Sequence, residues 1–293
     1  MVKMSIGVAF SETFAFLKAN WTQMLIWVGG ALVVVGLLGY LLLGSTFSAL
    51  AMAPNDPTIM MGAFGKIGLF ALIAAVILYA ACMLIWRGGL HPGEAPNFGW
   101  ALQAGLAFAF GMFVVFIAAY IVVFIVMLIF GLIFGAALGG LGGFGSGMDA
   151  GSAGAVGGGA MAIGAILYIG LLVFMLWVQG RFIVAGPVMA DRLTRNPITG
   201  LSESWKLTQA SQWIIVGFYL LFTILLVVYA FIAGLIFGAI LGGIAGSGSI
   251  VAALISMIIT AAVVYLPILM VSFSMPVGVY RALAPRASGD VFA

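Results

Sequence analysis

Residues 181–213 read RFIVAGPVMADRLTRNPITGLSESWKLTQASQW, the most charged interval in a chain that carries few charges anywhere. Arg181, Asp191, Arg192, Arg195, Glu203 and Lys206 lie here, out of 10 Lys and Arg and 7 Asp and Glu in all 293 residues. Long apolar runs flank the interval on both sides. A charged junction between apolar runs is what repeated crossing of a bilayer requires. Only helices of about 20 apolar residues satisfy their own backbone groups in hydrocarbon, and polar residues are pushed to the ends.

Composition extends this reading to the whole chain. Hydrophobic residues make up 65% and charged residues 6%, with a mean hydropathy of +1.34. A water-soluble domain carries about 25% charged residues, so the sequence predicts a single all-α integral membrane domain over 1–293. The formal net charge of +3 does not point to nucleic acid, since a small basic excess is the ordinary consequence of lysine and arginine retention on one membrane face. The lone Cys82 excludes an intramolecular disulfide. The apolar segment before Ala51-Met52-Ala53 is longer than a signal-peptide core and is expected to remain as a span.

Six spans are expected, at about 24–44, 66–86, 105–138, 160–180, 213–240 and 250–280. Ahead of the first, Ile6, Phe10, Phe14 and Leu17 share a helical face, which predicts an amphipathic helix lying in the interface. Trp21, Trp86, Trp100, Trp205 and Trp213 sit near span ends and are expected to anchor there. The interval 139–159 and Gly242–Gly248 read as glycine-rich loops. Pro267 and Pro276 are expected to kink or shorten the last helix. With six spans, nine of the ten Lys and Arg residues fall on one side, Lys66 being the exception. That bias puts both termini in the cytoplasm.

An internal repeat is also legible. Arg87, Arg181 and Arg281 each close the second helix of a hairpin. Ser11-Glu12-Thr13-Phe14, Phe98-Gly99-Trp100 and Ser202-Glu203-Ser204-Trp205 each precede a first helix. Residues 131–140 (GLIFGAALGG) match 234–243 (GLIFGAILGG) at nine of ten positions. The expectation is three parallel hairpins, over 5–90, 91–195 and 196–285, each preceded by an interfacial amphipathic segment. Gly131, Gly135 and Gly139, like Gly234, Gly238 and Gly242, recur every fourth residue and are expected to let another helix pack closely. The same small-residue faces suit a homo-oligomer.

Catalytic chemistry finds little to work with. The span interiors lack Asp, Glu, Lys, Arg and His, which weighs against a proton relay or a charge-lined pore. His91 and Glu94 alone cannot make a metal site, which takes three or four ligands. No nucleophile–base set is evident, so neither enzymatic activity nor a cofactor is expected. Asn196 followed by Pro197 predicts a helix start, with Ile198, Leu201, Trp205 and Thr208 on one face. Arg87, Arg181, Arg192, Arg195 and Arg281 are candidates for lipid-phosphate contact, with Asp191 a partner for one of them.

The pattern Arg181-x5-Pro187, Pro197, Leu201, Ser204-Trp205, Leu207-Thr208 and Gln212-Trp213 resembles the bacterial glycerophosphoryl diester phosphodiesterase membrane-domain family and its six-span relatives of unknown function. The resemblance is best over 181–225, and the closing Val279-Tyr280-Arg281 is consistent with it. It implies a bacterial inner-membrane protein connected with lipids. In some members the membrane part precedes a soluble phosphodiesterase. Only twelve residues follow Arg281, so that activity is not carried over. Two functions follow as expectations: a non-catalytic domain that binds lipids or serves a membrane-protein partner, and a transporter or lipid-translocating protein.

Overall fold

The computed structural model describes residues 4–53, 56–137, 153–245, 252, 256 and 258–284. These residues are helical with short connections, and no strand occurs among them. The helices are α1 (Ile6–Met52), α2 (Pro57–Leu90), α3 (Phe98–Ala137), α4 (Ala153–Phe182), α5 (Ala185–Asp191), α6 (Pro197–Thr208), α7 (Gln212–Ala245) and α8 (Leu266–Leu283). Six helical stretches are long and apolar enough to cross a membrane. The expected all-α, six-span class therefore holds.

Local chemistry explains most helix starts. Ser5 caps α1 by accepting from the Val8 N–H. Asp56 caps α2 through the Thr58 and Ile59 amides, with Pro57 at the first position. Asn97 accepts from the Trp100 N–H at 2.9 Å at the head of α3. Asn196 accepts from the Ile198 N–H at 3.0 Å, with Pro197 next, as its sequence predicts. Each cap satisfies a donor that the first helical turn cannot pair internally.

Several boundaries differ from expectation. The amphipathic segment before the first span is no separate interfacial helix, because α1 runs 47 residues without a break, about 70 Å at 1.5 Å per residue. Nothing between residues 17 and 24 forces a stop, and the Asn20 amide donates back to the Phe16 carbonyl at 2.9 Å. The buried face is also rotated: Ala9, Thr13, Phe16, Met24 and Val28 are inside, whereas Phe14 is exposed. Thr13 sits against Gly278 of α8, where a Cβ would collide with its backbone and hydroxyl. α4 begins at Ala153 and α7 continues to Ala245, so both absorb glycines expected in loops. Gly139, most of the interval 139–159 and the start of the sixth span lie outside the described residues.

The last helix is entered through a π-helical turn, Ala261–Tyr265. Pro267 has no N–H to offer the Val263 carbonyl four residues back. The Tyr229 hydroxyl of α7 donates to that carbonyl at 2.5 Å instead. Here the proline is answered by a cross-helix bond, as a buried carbonyl in lipid requires.

Packing runs around the bundle in chain order. α1 packs along α2, α2 along α3, α4 against α6 and α7, and α8 closes back onto α1. α3 and α4 scarcely touch, and α7 meets the last helix mainly through the π turn. The core gathers at the end carrying Arg87, Arg181 and Arg281, hereafter the basic end. There Met83, Ile85, Trp86, Val184, Met189 and Val277 are fully or almost fully buried. At most 22% of the most apolar window in any candidate span is buried, so the long helices leave most of their apolar surface to lipid.

Candidate functional site

The basic end is organised around α5. Ala185, Gly186, Pro187, Val188, Met189 and Ala190 are all buried, with α5 packed on α2, α6 and α8. The Trp86 indole of α2 lies where a side chain on Gly186 would be, and its Nε1 donates to the Phe273 carbonyl of α8 at 2.7 Å. The small Ala185, Gly186 and Ala190 let α5 sit closely among these helices.

A polar clasp holds α5 in place. Arg87 donates to both Glu94 carboxylate oxygens, at 2.8 and 2.7 Å, and its Nη1 reaches the Ala190 and Asp191 carbonyls at 3.1 and 2.7 Å. Those carbonyls end α5, where a cation also meets the negative pole of the helix. The Asp191 carboxylate takes the Tyr280 hydroxyl at 3.0 Å and faces His91 Nε2 at 3.0 Å. Glu94 lies 3.9 Å from the other His91 nitrogen. Both ring nitrogens face carboxylates, and none of the described Ser, Thr or Cys side chains is bonded to the ring. The arrangement ties three helices together, and it is not a nucleophile–base pair.

The five arginines meet different fates. Arg87 is spent on Glu94 and α5. Arg281 donates to the Gly89 carbonyl at 2.9 Å and lies over the Phe16 ring. Arg192 pairs with Glu203 at 3.2 Å. Arg181, expected at lipid phosphates, is instead 2% exposed. Its guanidinium stacks 3.9 Å from the Trp205 ring centre, while Nε and Nη1 have no partner among the described residues. The indole face takes part of the place of solvent for this cation. The Arg181 carbonyl accepts from Ser204 and Thr208. Arg195 alone of the five is exposed with no bonded partner among the described residues.

The tryptophans and glycines divide similarly. Trp21, Trp205 and Trp213 are exposed, whereas Trp86 and Trp100 are core residues, 3% and 2% exposed, rather than interface anchors. An indole large enough to anchor a bilayer is also the best filler between closely packed helices, and near a span end only the fold decides. Gly131, Gly234 and Gly238 would place a Cβ with nothing within 4 Å among the described residues, so no described helix packs on them. The surroundings of Gly135, Gly139 and Gly242 lie outside the described residues. Close approach occurs elsewhere: a Cβ on Gly105 would stand 2.6 Å from the Ala80 backbone nitrogen.

Helix α6 turns an unexpected face to the bundle. Gly200, Ser204 and Thr208 are buried, and Ile198 and Trp205 point out, 72% and 41% exposed. Thr208, expected beside them on the apolar face, belongs to the inner one.

Beneath α5 lies a cleft of about 310 Å³ bounded by α2, α3, α4, α7 and α8. Trp86, Phe108, Phe116, Phe182 and Phe273 wall it, and no charged residue lines it. Its polar lining is Tyr79, Gln179, Tyr219 and Ser272, none with a hydrogen-bond partner among the described residues. These four residues come from four separate helices, so the group exists only once the helices assemble. In comparisons with known proteins, no family model matches the chain, and no curated protein or solved structure does.

Proposed function

We propose that this chain is a non-catalytic lipid-binding domain of a bacterial inner membrane, with its basic end and both termini in the cytoplasm. The observation that carries this reading is the outward face of α6. A helix in water turns its bulky apolar residues inward. α6 follows that rule only at Leu201 and Leu207, which pack on the core; Ile198 and Trp205 are outside while Gly200, Ser204 and Thr208 are inside. That inversion suits a helix lodged at the level of lipid headgroups. Arg195 and Lys206 are exposed beside it, placed to attract anionic phosphates.

The resemblance of 181–225 to the membrane-domain family belongs to the same proposal. So does the threefold repeat, which rests on the sequence; the packing of the hairpins is uneven, since α1 lies along α2 whereas α3 and α4 scarcely touch and α7 meets the last helix mainly through the π turn.

Native mass spectrometry of gently extracted protein tests the reading. Each basic residue near an anionic surface contributes about 1 kcal/mol, so Arg195→Ala with Lys206→Ala should lower retention of anionic phospholipid about 30-fold. Unchanged retention, with a protein subunit co-purifying at fixed stoichiometry, would replace lipid binding by an accessory role. A second reading, lipid translocation, draws on the cleft between α3 and α4. Its check is transfer of a fluorescent phospholipid between leaflets of proteoliposomes.

A further inference from the structure

The cleft under α5 combines three features not explained by packing. First, it is apolar and aromatic at membrane depth. Tyr79 lies eight residues before Arg87, Ser272 nine before Arg281, and Tyr219 seven after Gln212, which places these groups about 10–13 Å inward from the basic end. Second, its hydrogen-bonding capacity is unspent. Tyr79 and Tyr219 carry phenolic donors, Gln179 an amide and Ser272 a hydroxyl, all without hydrogen-bond partners among the described residues. Third, it holds a backbone acceptor. Pro276 cannot supply the N–H that would serve the Ser272 carbonyl four residues back, and both residues line the cleft.

The contrast with Pro267 sharpens the third point. There the corresponding carbonyl, of Val263, takes the Tyr229 hydroxyl. At Ser272 no side chain among the described residues donates to the carbonyl. Among the described residues a side chain answers the first proline and none answers the second, which borders the cleft.

We infer that the cleft is a binding site for a neutral, membrane-dissolved amphiphile whose ring head carries hydroxyl groups, of the hydroquinone type. Neutrality follows from the uncharged lining, since a charge at this depth would lack compensation. A flat ring suits walls made of Trp86, Phe108, Phe116 and Phe273, which offer faces and edges for stacking. A ring hydroxyl donates to the Ser272 carbonyl and accepts from Tyr79 or Tyr219, whereas a hydrocarbon would leave them all unpaired. The volume is about twice the 150 Å³ cavity that admits benzene, enough for a substituted ring with its tail left outside. Entry is lateral, where α3 and α4 scarcely meet. The basic end is shut by α5 and its clasp. Anionic headgroups at Arg195 and Lys206 play no part, so this site stands apart from the lipid contact proposed above.

Equilibrium dialysis of tritiated decylhydroquinone, kept reduced, against nanodiscs with and without the full chain separates binding from partition. The expected result is saturable binding at one site per chain, not displaced by decylbenzene, which has the same body without oxygen. Tyr79→Phe and Tyr219→Phe remove only a hydroxyl, and each should weaken binding about 3- to 10-fold. Met112→Trp, which fills the cleft from α3, should abolish it. Equal displacement by decylbenzene, unchanged affinity in both phenylalanine variants, or no saturable binding to the wild-type chain would each overturn the inference. Arg195→Ala with Lys206→Ala should leave this binding intact whatever it does to anionic lipid.

Discussion

Replacing Arg87 by Ala should loosen α5 far more than replacing its ion-pair partner. The Arg87 side chain is 17% exposed and Glu94 is 49% exposed. An ion pair with one partner half in solvent contributes about 0.5–1 kcal/mol. The two bonds from Nη1 to the Ala190 and Asp191 carbonyls differ, because those carbonyls end a buried helix and have no other bonded donor among the described residues. Charge-assisted bonds of this kind contribute about 1.5 kcal/mol or somewhat less each at partial burial. The whole side chain therefore holds α5 by about 3 kcal/mol, roughly a 100-fold change in an opening equilibrium. Cys82 provides the assay. It is the only cysteine, it is buried, and it lines the cleft one helical turn from Trp86, against which α5 rests. A charged, membrane-impermeant maleimide cannot take the lateral route through lipid and reaches Cys82 only when the basic end opens, so its rate reports that equilibrium. Arg87→Ala should accelerate labelling on the order of 100-fold, and Glu94→Ala about 3- to 5-fold. If both variants accelerate labelling equally, the ion pair and not the carbonyl clasp holds α5. If Arg87→Ala leaves the rate unchanged with helix content intact, α5 is held by apolar packing alone.

Tyr229→Phe should lower stability by about 1–2 kcal/mol, because the Val263 carbonyl then loses its only described side-chain donor beside Pro267; a drop in the thermal midpoint in detergent checks it, and no drop would mean the π turn pairs that carbonyl itself. Gly105→Ala should cost more, about 2–4 kcal/mol, since its methyl would meet the Ala80 backbone and force α2 and α3 apart. Gly234→Ala, with open space around it, should be neutral or slightly stabilising in the same melt, so the pair of variants separates packed from lipid-facing glycines. The Asp56 carboxyl is held below its ordinary value of 3.8, first by the Thr58 hydroxyl and then by the Thr58 amide. A depressed folded value means that its capping is complete above the ordinary value and is lost as pH falls through the lowered one. Hydrogen exchange at the Ile59 amide should therefore lose protection, relative to mid-α2, only below about pH 4.

The number of spans, their approximate positions and the clustering of cations at one end were all legible in the sequence. Their cause is local: hydrocarbon admits only long apolar helices, and each residue pays or avoids that penalty wherever its neighbours lie. Caps at Asp56, Asn97 and Asn196 are likewise written within three or four residues. Which side of a helix faces protein was not legible. In a soluble chain hydrophobicity marks the inner face, but lipid is as apolar as a protein core, so Phe14 can face out while Thr13 packs on Gly278. For the same reason Trp86 and Trp100 looked like interface anchors and are core residues, and Arg181 looked like a lipid contact and is sealed under Trp205. The burial of α5 and the convergence of Tyr79, Gln179, Tyr219 and Ser272 depend on contacts between residues far apart in the sequence. Those are decided by shape complementarity among assembled helices. Residues 181–213 announced by themselves a junction between two spans; only the tertiary structure made its first half a plug in the bundle and its second half a helix with Ile198 and Trp205 turned outward.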